Sequence, residues 1–544
     1  MKKWICLFLL APLFASAQSN RPKAVIGIVV DQMRQEYLYR FAHKFSEGGF
    51  KRLMNQGFMM KNAHYNYIPT LTGPGHAAVY TGTTPSVNGI IGNEWYERSE
   101  SKTVNCVEDK RFSPVGTTTA GQGAVSPFRM ISTTITDELE LSTQRQAKVI
   151  GMSIKDRGAV LPAGHIPDGA YWYDGSTGNF ISSTYYKPGL PMWVEQFNSQ
   201  KLADKYLTKE WNTLLPIETY LECGPDDSKS ETIFRGKDKP VFPYNLSVLR
   251  KQNGELDLIS RTPYGDDLLT DFAKAAIDGA EVGKDATTDF LAISYSTPDL
   301  IGHAMGPNSV EVMDTYIRLD RNIQDLLNLL DKKIGAGQYL VFLTADHAVA
   351  EIPQDLIGLN VPAGYFNSIE VEKGLQEHLQ KFFPGQNLIE DISNNQVYLN
   401  AAAFSGEPRT GGLDFMVATE LVVQYLKSVD GIAEVFTKSQ LQTGPTSGNT
   451  VQDLLTRGLN AKRSGDVAFT LKPGWSWLQG ARANHGSGYT YDTHIPMLFF
   501  GKGIKHGVSH RYHAVTDIAP TLSMLLDIRL PNGCTGQPIE EMLH

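Results

Sequence analysis

Short apolar runs recur along the chain, and each stops abruptly at polar residues. Residues 23–30 (KAVIGIVV) end at Asp31, and 148–154 (KVIGMSI) run into Lys155 and Arg157. Residues 289–295 (DFLAISY) lead to Asp299, and 339–343 (YLVFL) lead into Asp346 and His347. Runs of this length without polar alternation predict strands buried on both faces. A further run at 495–500 predicts another strand. Helical periodicity marks 32–41, 263–277, 310–331, 416–427 and 450–459, and 513–526 reads as a capped amphipathic helix. Strands alternating with helices predict an α/β fold, a mainly parallel central sheet with helices on both faces.

Two stretches lack this pattern. Residues from about 160 to 260 are rich in Tyr, Trp, Pro and Gly, and those from about 350 to 480 mix helical pieces with a Gly/Ser/Thr loop near Gly444. Both read as insertions into one catalytic domain spanning 18–544. Residues 1–17 differ again: Lys2 and Lys3 precede an apolar stretch that closes on Ala15-Ser-Ala17, the pattern of a cleaved secretory signal. The apolar run is too short for a spanning helix. Cys6 lies inside it, which argues against a lipid-anchoring cysteine. A periplasmic or secreted protein with no membrane anchor is expected; the sequence leaves the oligomeric state open, with a monomer favoured.

Composition narrows the chemistry. The net charge of −8 becomes about −10 once Lys2 and Lys3 are removed, which argues against nucleic acid as a partner. Removal of the signal leaves Cys106, Cys223 and Cys534, enough for one disulfide at most. Their spacing is too wide for a zinc knuckle, so metal ligands must be Asp and His. Asp299 and His303 stand four apart, on one face of a helical turn, where they can hold one ion. Asp31, Asp346 and His347 sit at strand ends, where open α/β sheets carry their chemistry. His485 lies in a glycine-rich loop.

Thr72 precedes a helix signalled by Pro74, so its hydroxyl is either a cap or a nucleophile beside an anion-binding helix N-terminus. Asn93 offers a side-chain amide from a glycine-rich loop. Lys155 and Arg157 share a face if their segment is extended. The three Asp and three His make two three-residue sites, each with a position open for substrate. Two metals about 3.5–4 Å apart clamp both oxygens of an in-line displacement.

In this order Asp31, Thr72, Asp299-x-x-x-His303, Asp346-His347 and His485 resemble the alkaline phosphatase superfamily, above all its bacterial threonine-nucleophile, phosphate-irrepressible alkaline phosphatases. The resemblance covers nearly the whole mature chain. It implies a zinc-dependent enzyme that hydrolyses small-molecule phosphate monoesters through a phosphothreonine at Thr72, with two Zn²⁺ per chain. By position, Asp31, Asp346 and His347 would hold the zinc that binds Thr72, and Asp299, His303 and His485 the second. Asn93, Lys155 and Arg157 would contact the phosphoryl oxygens. Ala348 departs from the glycine common after Asp-His and affects the turn more than the ligands.

Phosphodiesterases and nucleotide pyrophosphatases of the same superfamily share the metal ligands, threonine and asparagine. They are not expected to carry the Lys-x-Arg pair. A sulfatase would need a Cys/Ser-x-Pro-x-Arg segment, which is missing. A non-catalytic metal- or sugar-binding protein is the alternative that Tyr171-Trp-Tyr173 suggests.

Overall fold

The computed structural model describes residues 21–119, 122–385, 387–404, 413–443, 450–477 and 482–543. The signal segment and the loop near Gly444 lie outside the described residues. Five strands form the centre of the molecule: β1 (Ala24–Val30), β2 (Val149–Ser153), β3 (Gly169–Asp174), β4 (Asp289–Tyr295) and β5 (Tyr339–Thr344). They are all parallel, in the order β5-β1-β4-β2-β3. Their side chains are buried throughout, as their unbroken apolar sequences require.

Five further strands complete a ten-stranded mixed sheet. Met497–Gly501 adds antiparallel to β5, and Phe58–His64 and Gly507–Ala514 follow it. Asn179–Ser183 and Pro114–Val115 extend the other edge. Parallel pairings outnumber antiparallel ones by five to four. Gly169–Asp174 and Asn179–Ser183 fall within the weakly patterned 160–260 stretch, yet belong to this central sheet. Ile389–Ser393, Gln396–Leu399, Ile432–Thr437 and Val467–Leu471 build a separate four-stranded antiparallel sheet, with its own core around Val397, Phe469 and Leu426.

Two local expectations are corrected. Residues 32–41 are mostly turns, with a helix only at Tyr37–Arg40, because Gln32 adopts a left-handed φ of 68° that stops a helix from starting there. Residues 513–514 end a strand, and the helix begins at Ile518 after a 3-10 turn at Val515–Asp517. Cys106, Cys223 and Cys534 are free thiols.

A row of small side chains crosses the parallel strands in register. Gly27 on β1 pairs with Ala292 on β4, which pairs with Gly151 on β2, which pairs with Ala170 on β3. Paired neighbours point to the same face. Two helices settle onto this face, α1 (Thr72–Thr81) and α2 (Asp156–Ala163). A Cβ on Gly27 would come within 2.7 Å of the Tyr80 hydroxyl of α1, and one on Gly151 within 2.2 Å of the Ala159 carbonyl of α2. Missing side chains therefore set how close both helices lie to the sheet. The N-termini of α1 and α2 carry Thr72 and Arg157, so this packing also positions chemistry.

Gly75 makes an equally tight approach: a Cβ there would sit 2.2 Å from the Asp346 backbone oxygen. Alanine would gain up to about 1 kcal/mol in helix propensity. It would also force backbone against backbone, which no rotamer change relieves. Gly75→Ala is therefore expected to lose about 1–3 kcal/mol of unfolding free energy, net, in denaturant melts. A variant as stable as the wild type would show that α1 has room to move.

Candidate active site

The carboxyl ends of four parallel strands converge on one edge of the sheet. β1 runs out at Asp31, and β5 continues through Ala345 to Asp346 and His347. Val29 pairs with Thr344, so Asp31 and Asp346 leave the sheet side by side. β4 leads into helix α3 (Thr297–Met305), which places Asp299 in its first turn and His303 one turn later. The loop after residue 482 brings in His485. Asp31, Asp346 and His347 are fully buried, and Asp299 is nearly so.

The six side chains gather into two groups, Asp31–Asp346–His347 and Asp299–His303–His485, and within each group the ligand atoms lie within 4.8 Å of one another. His347 Nε2 stands 3.4 Å from Asp31 Oδ1 and 3.6 Å from Asp346 Oδ2. In the second group, Asp299 Oδ1 is 3.2 Å from His303 Nε2 and 3.8 Å from His485 Nε2. The rings of His347 and His485 stack at 3.4 Å between centroids and join the groups.

All three imidazoles are oriented alike. Nδ1 of His347, His303 and His485 donates to the carbonyls of Ala348, Ala483 and Thr70, at 2.9, 2.7 and 2.7 Å. A carbonyl only accepts, so Nδ1 carries a proton, which leaves Nε2, beside the carboxylates, as the atom that can ligate a cation. This is the outer-shell arrangement of a metal-ligating histidine. Burial pushes the His347 pKa down to about 3 and that of His485 well below its ordinary value, which keeps both neutral.

Compensation of the carboxylates is incomplete. Among the described residues, buried Asp31 Oδ1 and Asp346 Oδ2 have no hydrogen-bond partner. Burial, with the charge of Asp31 beside it, holds the Asp346 carboxyl well above the usual carboxylate range. An orphaned buried acceptor costs about 1–3 kcal/mol, and more when charged. Two Asp and one His in one group, one Asp and two His in the other, fit a divalent ion such as zinc. Asp299 is held low instead: burial works against its charge, but His303 and Lys155 outweigh burial.

Thr72 is the first residue of α1, after an extended Leu71. Its Oγ1 lies 3.5 Å from His347 Nε2. His76, one turn on, donates from Nδ1 to the Thr72 carbonyl at 2.9 Å and contacts Ser294 Oγ through Nε2 at 2.8 Å. The Gly73 amide donates to Asn93 Oδ1 at 2.7 Å, which fixes the side-chain amide beside Thr72. Lys155 Nζ spans the two groups, 2.7 Å from Asp31 Oδ2 and 2.5 Å from Asp299 Oδ2. Among the described residues, Arg157 pairs with a single distant carboxylate, Asp156 at 4.0 Å, and its buried Nε has no hydrogen-bond partner. The extended Lys-x-Arg segment is corrected: β2 ends at Ser153, Lys155 caps α2, and Arg157 lies in the first turn of that helix.

Gln32 is the residue that sequence reasoning missed. Its backbone N–H donates to Asp346 Oδ1 at 3.2 Å and its Nε2 to Asp299 Oδ1 at 2.6 Å, so it ties one carboxylate of each group. Its left-handed backbone allows both contacts. Gly302 leaves the space, since a Cβ there would meet Gln32 Oε1 at 2.0 Å. The one signal in the sequence is a polar residue directly after a strand-end carboxylate.

The family model for type I phosphodiesterase / nucleotide pyrophosphatase matches residues 25–494. Alkaline phosphatase PafA of Elizabethkingia meningoseptica is 41% identical over 547 residues, covering 100% of this chain and 99% of that protein. Alkaline phosphatase PhoV of Synechococcus elongatus is 42% identical, covering 96% and 93%. A Myroides odoratus protein named a calcium-transporting ATPase is 42% identical, covering 99% and 98%. Among the described residues, no helix is long and apolar enough to cross a membrane. The 1.7 Å crystal structure of wild-type PafA superimposes with a TM-score of 0.92 at 41% identity, covering 96% of this chain and 99% of that one. A second PafA structure, with the same TM-score, carries substitutions at a Thr, an Asn, a Lys and an Arg. Thr72, Asn93, Lys155 and Arg157 follow in the same order at the same separations of 21, 62 and 2 residues. The chain belongs to the type I phosphodiesterase/nucleotide pyrophosphatase family, within the alkaline phosphatase superfamily.

Proposed function

We propose that the protein is an exported, zinc-dependent alkaline phosphatase that hydrolyses phosphate monoesters, with Thr72 as nucleophile. The observation that carries this reading is Thr72 Oγ1, at a helix N-terminus and 3.5 Å from the His347 end of one ligand group. Its support from relatives is the name alkaline phosphatase borne by PafA and PhoV. We assign Asp31, Asp346 and His347 to one Zn²⁺ and Asp299, His303 and His485 to the other. Zinc, when bound, supplies positive charge that favours proton loss from a hydroxyl and offsets charge on the attacking and leaving oxygens.

The chain's own residues do the rest. Thr72 Oγ forms the new bond to phosphorus as the bond to the ester oxygen breaks, leaving the alcohol and a phosphothreonine. Water then attacks phosphorus, the Thr72–phosphorus bond breaks, and inorganic phosphate leaves. The first-turn amides of α1 present donors and a positive dipole end to the phosphoryl oxygens. His76 anchors that turn through the Thr72 carbonyl. Asn93, fixed by Gly73, directs Nδ2 to the phosphoryl group, and Arg157 offers a planar fork with no close ion-pair partner. Lys155 holds Asp31 and Asp299 together and adds a compact charge between the groups. Residues 18–544 then form one catalytic domain with insertions near 160–260 and 350–480, apart from Gly169–Asp174 and Asn179–Ser183, which join the central sheet.

Two experiments test this. Acid quenching of the enzyme with ³²P-labelled monoester should place the label on Thr72. If turnover proceeds while label never reaches that residue, direct attack by water replaces the proposal. The second concerns charge. A monoester presents three non-bridging oxygens and up to two charges, whereas a diester has one charge and a bulky group in place of the third oxygen. Removing one preorganised donor costs about 10²–10³ in rate. Arg157→Ala and Lys155→Ala should therefore lose that much on a monoester and clearly less on a diester. Equal losses on both would favour the phosphodiesterase reading.

A further inference from the structure

A cleft of about 260 Å³ opens beside the ligand groups, and none of the groups described above needs it. Leu71, which directly precedes Thr72, and His485 both line it. The opposite side comes from the separate antiparallel sheet. Its hairpin between Ile389–Ser393 and Gln396–Leu399 turns on Asn394 and Asn395, both left-handed, as a two-residue hairpin turn demands. Asn394 Nδ2 donates to the Glu94 carbonyl at 2.6 Å, which docks the hairpin tip onto the Asn93 loop. Trp477 closes the cleft, its Nε1 donating to Asn395 Oδ1 at 2.8 Å.

The chemistry of the walls is selective. Among the described residues, the lining contains no carboxylate, ammonium or guanidinium, and His485 is its sole ionisable group. Leu71, Ile392 and Trp477 give apolar surface and an indole, and Asn484 adds an amide whose oxygen already accepts the His485 N–H at 2.9 Å. A charged group entering this cleft would lose hydration without a counter-ion, which is costly. A flat uncharged group would bury apolar area and stack.

We propose that this cleft is a leaving-group subsite that selects phosphate monoesters of uncharged aromatic groups, either an aryl ring or the base of a nucleoside, with Trp477 as its specificity-determining residue. The proposal rests on the monoesterase reading, because it needs the phosphoryl group at Thr72. The Leu71–Thr72 junction and His485 connect the two parts of the substrate. The hairpin of the antiparallel sheet thus carries one wall of the specificity pocket to a site built by the central sheet.

The test measures kcat/KM of the wild type, Trp477→Ala and Trp477→Phe on phenyl phosphate, adenosine 5′-monophosphate and methyl phosphate. Comparing each variant with the wild type on the same substrate cancels the intrinsic reactivity of the esters. Relative to methyl phosphate, Trp477→Ala should lose about tenfold on the aromatic esters, the usual size of one stacking contact. Trp477→Phe should restore most of it. Loss on phenyl phosphate alone or adenosine 5′-monophosphate alone identifies which aromatic group the cleft takes. Equal changes on all three esters overturn the subsite while leaving the monoesterase reading intact. A wild type that hydrolyses none of them overturns both. Trp477 packs on Phe366, with ring centroids 5.3 Å apart. If its removal prevents folding, competitive inhibition of the wild type by adenosine but not by ribose reads the same contact, and equal inhibition contradicts it.

Discussion

Three buried carboxylates crowd one edge of the sheet, and their charge governs the architecture around them. Asp31, Asp346 and Asp299 lie deep in the protein beside the neutral imidazoles of His347 and His485, and Lys155 is the cation that touches two of the three. Such a cluster is unfavourable unless positive charge is brought to it. Around it every outer contact is used to fix orientation. Three carbonyls hold the histidine Nδ1 atoms, and Gln32 ties Asp346 to Asp299. What is left open is the side facing the groups, where Asp31 Oδ1 and Asp346 Oδ2 have no partner. The site is built to receive cations, and its rigidity comes from main-chain acceptors.

The central sheet makes that precision possible by the absence of side chains. Gly27, Ala292, Gly151 and Ala170 form a low strip across four parallel strands. Helices α1 and α2 sink onto it, and their first turns deliver Thr72 and Arg157 to the strand ends. Gly75 then lets α1 meet the Asp346 backbone directly. Large residues in these positions would lift the helices and separate the hydroxyl from the ligand groups by ångströms. Packing and chemistry are here one constraint.

Much of this is legible in the sequence where the signal is local. Four buried strands stand out as unbroken apolar runs, and their terminal polar residues mark the edge that matters. The four-residue spacing of Asp299 and His303 implies a shared helix face. His485 is different: alone it reads as an ordinary loop histidine, and resemblance to a family singles it out. Gln32 escapes notice because its role depends on a left-handed φ that no propensity assigns to glutamine. Lys155 and Arg157 read as part of an extended segment because the apolar run gives no sign that a helix starts at Asp156. The Trp477 cleft is illegible for a further reason. Leu71, Asn395 and Trp477 meet only through tertiary docking of a hairpin more than 300 residues from Leu71.

The central claim is that six side chains form two separate three-ligand metal sites. Anomalous diffraction at the zinc absorption edge, on crystals of the purified protein, tests it most directly. The account predicts two peaks per chain. One lies within about 2.0–2.2 Å of ligand atoms of Asp31, Asp346 and His347, and the other within the same reach of Asp299, His303 and His485. A single shared peak, or zinc bound only away from these residues, would contradict it.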